Sequence, residues 1–212
     1  MISLSKKIIN TINIFLICSI LIFSLSGCYS VQSIDDLAYA LSMGLDVGKN
    51  NSLELTLQFS VPSGSSEGGQ GGEPIPTTLN SVECSSIDSG MTLLNSYVSK
   101  EINLSHCKII VISEELASKG IADIIYSLIN KIQIRPDTNV IISKTTSKDY
   151  IKNSKPSLEN LVAKYYEIYT QSSQYTGYIE NSTIGNFFYA LNNTYIEPTA
   201  ILRRYYSRII WY

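Results

Sequence analysis

The chain of 212 residues contains a single histidine, His106. A zinc site built on histidines, or a Ser-His-Asp triad, therefore has one imidazole to draw on at most. Cysteine is scarce as well. The four residues Cys18, Cys28, Cys84 and Cys107 contain no Cys-x-x-Cys pair, which argues against a zinc ribbon or a thioredoxin-type centre. No basic excess exists: 16 Lys+Arg stand against 18 Asp+Glu for a net charge of −2, so nothing electrostatic favours nucleic acid. Charged residues make up only 16% and hydrophobic ones 44%, a balance that favours a packed core over a disordered chain and suits one domain of ordinary size with extras.

The first 28 residues differ from the rest. Lys6 and Lys7 precede Ile8 to Leu25, a stretch that carries no charge and is mostly apolar. A short basic end followed by an apolar run reads as an export signal. The run is at the lower edge of what spans a bilayer as an uncleaved helix. It ends in Leu25-Ser26-Gly27-Cys28, which resembles a bacterial lipobox. The small residues admit the backbone to a peptidase cleft, and the Cys28 thiol takes a diacylglyceryl group before cleavage in front of it. The competing reading is a plain signal anchor with an incidental Cys28. Cleavage removes residues 1–27, and with them Lys6 and Lys7, so the net charge moves from −2 to −4. Two or three acyl chains on one cysteine anchor a protein firmly, whereas one holds it marginally. The expected location is thus the outer face of the cytoplasmic membrane. No later run is long enough to span a bilayer.

The chain after Cys28 alternates strand and helix signals. Met43 to Gly48 reads as a strand entering the polar turn Lys49-Asn50-Asn51. Leu53, Leu55, Leu57, Phe59 and Val61 alternate with Glu54, Thr56, Gln58 and Ser60, the mark of a half-buried strand. These two strands predict an early β-hairpin closed by Pro62. Residues 63–73 contain five glycines and no apolar side chain. They read as a solvated flexible loop; a phosphate-loop reading fails because no Gly-Lys-Ser/Thr follows and Pro74 and Pro76 come next. Thr77 to Ile87 suggests a third strand. Asp88 or Ser89 is the expected cap of a helix over Met91 to Lys100, whose stripe is Met91, Leu94, Val98 and Ile102.

Ile109-Ile110-Val111-Ile112 is wholly apolar, as suits a central strand covered on both faces. A turn or short helix at Ser113 to Ala117 and a helix stripe of Ile121, Ile124, Ile125, Leu128 and Ile129 follow. Asn139 to Ile142 is another buried-type strand. Short helices are expected from Ser147, from Ser157 near Leu161, and over Thr183 to Leu191. The order predicts an α/β (α+β) domain over residues 28–195. Its mixed sheet combines the early hairpin with a right-handed parallel βαβ unit, flanked by helices. Residues 196–212 read as an atypical tail or the start of a truncated second domain; the tail has three of the four arginines and the only tryptophan.

Three passages carry a family likeness. The first is Gly27-Cys28-Tyr29 with Ile34-Asp35-Asp36-Leu37-Ala38 and Met43-Gly44-Leu45-Asp46; the second is Leu53 to Pro62. The third runs from Ser105-His106-Cys107 through Lys108 to Ile112 into Ser113-Glu114-Glu115-Leu116-Ala117 and Gly120. With the lipobox, they resemble the Ger(x)C-type spore germination lipoproteins, the C component of germinant receptors. The resemblance implies a non-enzymatic receptor subunit in spore germination. It would be held by lipid on the outer face of the spore inner membrane, beside multi-pass A and B components. It also implies further mixed α/β domains downstream, so the chain reads as the N-terminal portion of such a protein, cut short.

Candidate chemistry is thin. Ser105, His106 and Cys107 are adjacent, and neighbours on a strand diverge to opposite faces, so they do not form a nucleophile–base pair; a structural histidine is the plainer reading. Asp35-Asp36 and Glu114-Glu115 diverge in the same way and suit capping or solvated roles. No metal ligands and no cofactor are expected beyond the lipid on Cys28. Cys84 and Cys107, the thiols left after processing, are candidates for a disulfide outside the membrane, against two buried thiols. Ten of the fifteen tyrosines lie from Tyr165 onward; Tyr165, Tyr166 and Tyr169 on one helix suit an exposed partner patch or packing against a downstream domain. The alternatives to a receptor subunit are a generic surface lipoprotein, such as a solute-binding or envelope-associated protein, or an envelope hydrolase, for which no convergent catalytic groups are visible.

Overall fold

The structure is a computed structural model that describes residues 2–24, 36–61, 76–154, 162–172, 175, 177 and 182–203. It falls into two units, Met1–Asp36 and Leu37–Tyr212. In the first, helix α1 covers Ile2–Ser24, the stretch read as the export signal. Its apolar side chains from Ile8 to Leu21 are more than half exposed, Phe15 at 78%.

The second unit is built on one mixed sheet. Among the described residues its strands are β1 (Leu37–Val47), β2 (Leu53–Ser60), β3 (Thr77–Cys84), β4 (Glu101–Asn103), β5 (Ile109–Ser113), β6 (Asn139–Ser143) and β7 (Ile201–Arg203). They lie in the order β3-β2-β1-β5-β6-β7, with β4 on β1. β1, β2 and β3 form the antiparallel part, through pairs such as Leu45 with Leu55 and Leu55 with Val82. β1, β5, β6 and β7 are parallel, Gly44 facing Val111 and Val111 facing Ile141. The hairpin turn between β1 and β2 places Asn50 at φ 53°, a left-handed conformation asparagine tolerates.

Helices cover both faces. On one side pack α2 (Ile87–Tyr97), α4 (Ala122–Ile129) and α7 (Ile184–Leu191). Their Leu94, Ile125, Leu128, Ile184 and Phe187 meet Leu55, Leu57, Ile110 and Ile112 in one buried cluster. On the other side, α5 (Ser147–Asn153) and α6 (Val162–Gln171) bring Tyr150, Ile151 and Tyr166 against Ile109, Val111 and Ile141. β5 is buried at every position, and its alternate side chains feed the two clusters, as its apolar run predicts. α3 (Glu114–Ser118) and α4 form the crossover from β5 to β6, the expected parallel βαβ unit.

Several boundaries differ from expectation. β1 begins at Leu37, six residues before Met43, and is sealed from Ala40 to Asp46; a strand covered on both faces has no polar alternation to announce its start. α2 begins at Ile87 rather than Met91. Its cap is Ser86, whose Oγ accepts from Ser89 N at 3.2 Å while Ser89 Oγ accepts from Ser86 N at 3.0 Å, a reciprocal box that leaves Asp88 inside the first turn. α2 stops at Tyr97, before Lys100, because Glu101–Asn103 pair with β1 as β4. α5 is capped by Thr146, which accepts from Asp149 N at 3.1 Å, not by Ser147. The sheet also continues past residue 195: β7 pairs with β6, so residues 201–203 belong to the domain and not to a separate tail. The Gly-rich stretch 63–73, Pro62, the helix start expected at Ser157 and residues 204–212 lie outside the described residues.

Candidate functional site

The polar groups with the most defined geometry gather where β1 ends against α5. Asp46 is 3% exposed on β1, where Ser42 is the other buried polar side chain. Its Oδ1 accepts from Ser147 N at 2.6 Å, and its Oδ2 accepts from Ser147 Oγ at 2.6 Å and Lys148 N at 3.1 Å. The two backbone N–H groups are among the amides that a helix start leaves without partners. One carboxyl thus fastens α5 to the sheet. Gly44, two residues earlier on the same face, allows the approach: a Cβ there would stand 2.5 Å from Ser147 Oγ. The Gly44-x-Asp46 pattern is therefore a helix-docking device. Beside it, Lys148 Nζ donates to Glu54 Oε1 at 3.0 Å across the hairpin.

A second buried polar group secures α6. Gln58 Oε1 accepts from Ser42 Oγ at 2.9 Å and from Tyr166 OH at 3.2 Å, and Gln58 Nε2 donates to Thr77 Oγ1 at 3.2 Å. Tyr166 is 1% exposed, and its burial pushes the phenol well above its ordinary range. The tyrosine group expected as an exposed patch is thus divided: Tyr166 belongs to the core, Tyr165 is half-buried, and the side chain of Tyr169 lies outside the described residues. Helix periodicity made them neighbours but did not show that the face points at the sheet.

Around His106 the sequence-derived catalytic candidates do not converge. Ser105 and His106 lie in a turn before β5 and are both exposed, while Cys107 is buried, so the opposite-face alternation expected of strand neighbours does not apply to them. The His106 ring stacks on Tyr39, centroids 4.4 Å apart at 25°. Glu114 and Glu115 occupy the first turn of α3, which suits their charge at a helix start. They border a shallow cavity of about 220 Å³ at the carboxyl ends of β1, β5 and β6, together with Asp46, Lys144 and Thr146. Open α/β sheets bind ligands at such ends, but here the Asp46 carboxyl is occupied by α5. Among the described residues no group of three His, Cys, Asp or Glu side chains is arranged to hold a metal ion.

Cys84 and Cys107 are both free and buried, so the disulfide expectation is corrected. Cys84 pairs opposite Leu53 at one end of the outer strand β3, whereas Cys107 precedes β5, with β2 and β1 between them. Three strand spacings, about 14 Å, exceed the reach of a disulfide. Each thiol donates to a backbone carbonyl at 3.5 Å, Cys84 to Leu53 and Cys107 to Ile109. Burial raises both, Cys107 from its ordinary 9.0 to about 12. The folded protein therefore keeps the Cys107 proton where the unfolded chain has released it. The associated stability is complete below pH 9.0 and is lost as pH rises from there through about 12. The urea midpoint is expected to decline over that alkaline window, with a shallower decline in Cys107→Ala; an unchanged slope contradicts the assignment.

Leu25, Ser26, Gly27 and Cys28 lie outside the described residues, so the lipobox has no geometry here. What the described residues define is a three-layer α/β domain whose polar groups hold helices in place. The spore germination protein N-terminal domain family matches residues 30–202, and the chain belongs to that family. It is 27% identical over 137 residues to Spore germination protein KC of Bacillus subtilis (strain 168), covering 62% of this chain and 34% of that protein. It is also 27% identical over 165 residues to Putative spore germination protein YfkR of the same strain, covering 76% and 41%. The match therefore spans well under half the length of these curated relatives. No solved structure matches.

Proposed function

We propose that this chain is a C-type subunit of a spore nutrient-germinant receptor. In this reading it is anchored through diacylglyceryl-modified Cys28 on the outer face of the spore inner membrane. It acts by assembly with membrane-embedded A- and B-type subunits and not by catalysis. The observation that carries the reading is the family match over residues 30–202, joined directly to Leu25-Ser26-Gly27-Cys28. Spores lacking this gene are expected to lose germination with their nutrient while still responding to a nutrient-independent trigger. An unaltered nutrient response contradicts the proposal.

A further inference from the structure

We propose that β3 is a pairing edge for a second copy of this chain, the two β3 strands running antiparallel about a two-fold axis through Asn80. The contact does not depend on lipid at Cys28.

β3 ends the sheet on its side: it pairs with β2, and among the described residues no strand pairs with its other edge. The ladder shows which backbone groups are left over. Val61 N donates to Pro76 O at 2.9 Å, one step beyond the pair of Ser60 with Thr77. Hydrogen-bonded pairs alternate with non-hydrogen-bonded ones along an antiparallel ladder. Thr78, Asn80, Val82 and Cys84 therefore bond to β2, while Thr77, Leu79, Ser81 and Glu83 turn their N–H and C=O groups outward. Natural edges are commonly blunted by lysine, proline or a bulge. β3 contains neither Lys nor Pro, and its register with β2 is unbroken over all eight residues. Its one charge, Glu83, is drawn back to the hairpin turn, where Oε1 accepts from Lys49 N at 3.2 Å.

The outward groups are arranged so that the strand can be its own partner. They are symmetric about Asn80. Turning the strand end for end about that residue sets Thr77 opposite Glu83 of the second copy and Leu79 opposite Ser81, so every outward N–H and C=O finds a partner. An axis perpendicular to the sheet also keeps each helix layer on its own side. The opposed side chains agree: Asn80 meets Asn80, exposed Thr78 meets half-buried Val82, and the two Glu83 carboxylates stand at opposite ends. α2 adds apolar surface above the same edge. It is seated over β3 and β2 at Gly90, where an added Cβ would stand 2.7 Å from Cys84 Sγ and 2.8 Å from Leu55 Cδ2. Asp88 pairs with Lys131 just past α4, and Asn95 Oδ1 accepts from Ile102 N of β4 at 2.9 Å, so that flank of α2 looks toward the rest of the sheet. At about 100° per residue, Leu93 and Tyr97 lie on the opposite flank, over the open edge, 40% and 75% exposed. A second copy brings its own α2, with the same two side chains, to that side of the continued sheet.

The test is oxidative cross-linking of the full chain in membranes of the cells that make it, with copper phenanthroline as oxidant and mass spectrometry to identify the joined peptides. Asn80→Cys puts a thiol at the axis, where the Cα atoms of a non-hydrogen-bonded pair stand about 4.5 Å apart, within reach of a disulfide. Thr78→Cys is the control, because its two copies stand about 14 Å apart in this register. The disulfide joining residue 80 to residue 80 is expected to exceed the one joining residue 78 to residue 78 several-fold. Cys84 and Cys107 are buried, and peptide masses set apart any product of Cys18 or Cys28. Two blocking changes are then added to Asn80→Cys. Ser81→Pro takes only an outward N–H from the ladder, a place where an edge strand tolerates proline. Thr78→Lys sets a charge against Val82 of the second copy from an exposed position. Each should lower the yield several-fold. Equal yields at residues 78 and 80, or a yield indifferent to both blocking changes, overturn the proposal. So does a chain that stays monomeric, or a residue-80 disulfide to a different protein, which would make the edge a site for another partner.

Discussion

Replacing Cys28 with alanine is expected to yield a precursor that takes up no radioactive palmitate and migrates as the unprocessed chain. In the proposed processing the thiol is the group that accepts the lipid, and cleavage in front of residue 28 follows lipid transfer. Without the sulfur both steps stop. Fractionation alone is a poor reading of this variant. The uncleaved precursor keeps the apolar run from Ile8 to Leu25 behind Lys6 and Lys7, which can hold it at the membrane as a signal anchor. Mass and label separate the cases. On the proposal the native chain carries two or more acyl chains, each buried methylene contributing about 0.8 kcal/mol, while the variant depends on a peptide helix. Palmitate labelling that persists in Cys28→Ala removes the anchoring claim.

The second large effect is expected at Asp46. Asp46→Ala leaves Ser147 N, Ser147 Oγ and Lys148 N without their acceptor, two of them in a buried site. An unsatisfied buried donor costs about 1–3 kcal/mol, so a loss of about 3 kcal/mol is expected, a large share of the roughly 5–15 kcal/mol that holds a domain together. For a chain of this size the melting temperature should fall by about 6–12 °C. Two controls assign the loss to helix docking. Ser147→Ala removes one donor and should cost much less, and the double variant should cost less than the two losses added together, because the groups share one interaction. Gly44→Ala, with its Cβ set 2.5 Å from Ser147 Oγ, should weaken the same contact from the other side. If Asp46→Ala melts within a degree or two of the parent, Asp46 is not what holds α5.

These two sites differ in how far the sequence reveals them. Cys28 stands out as a candidate because charge, apolar run and the lipobox-like Leu25-Ser26-Gly27-Cys28 lie within one contiguous stretch. Asp46 is visible as part of a strand, but its partners are 101 and 102 residues away, and no local pattern states that pairing. The same division runs through the fold. β2 shows itself by alternation because one face carries Leu55, Leu57 and Phe59 and the other carries polar side chains; β5 shows itself as an unbroken apolar run. The three-residue strands β4 and β7 have no such mark. Glu101-Ile102-Asn103 is a strand only because β1 extends far enough to offer it an edge, and Ile201-Leu202-Arg203 only because β6 does. Tyr166 looks like surface in sequence because its partner Gln58 sits 108 residues earlier on the sheet.

The most direct test of the account is the mass of the native amino-terminal peptide. Purified from spore membranes, it should begin at Cys28 and carry a diacylglyceryl thioether on that sulfur. A peptide beginning at Met1 with an unmodified Cys28 would contradict lipid anchoring, and with it the proposed place of the domain on the membrane.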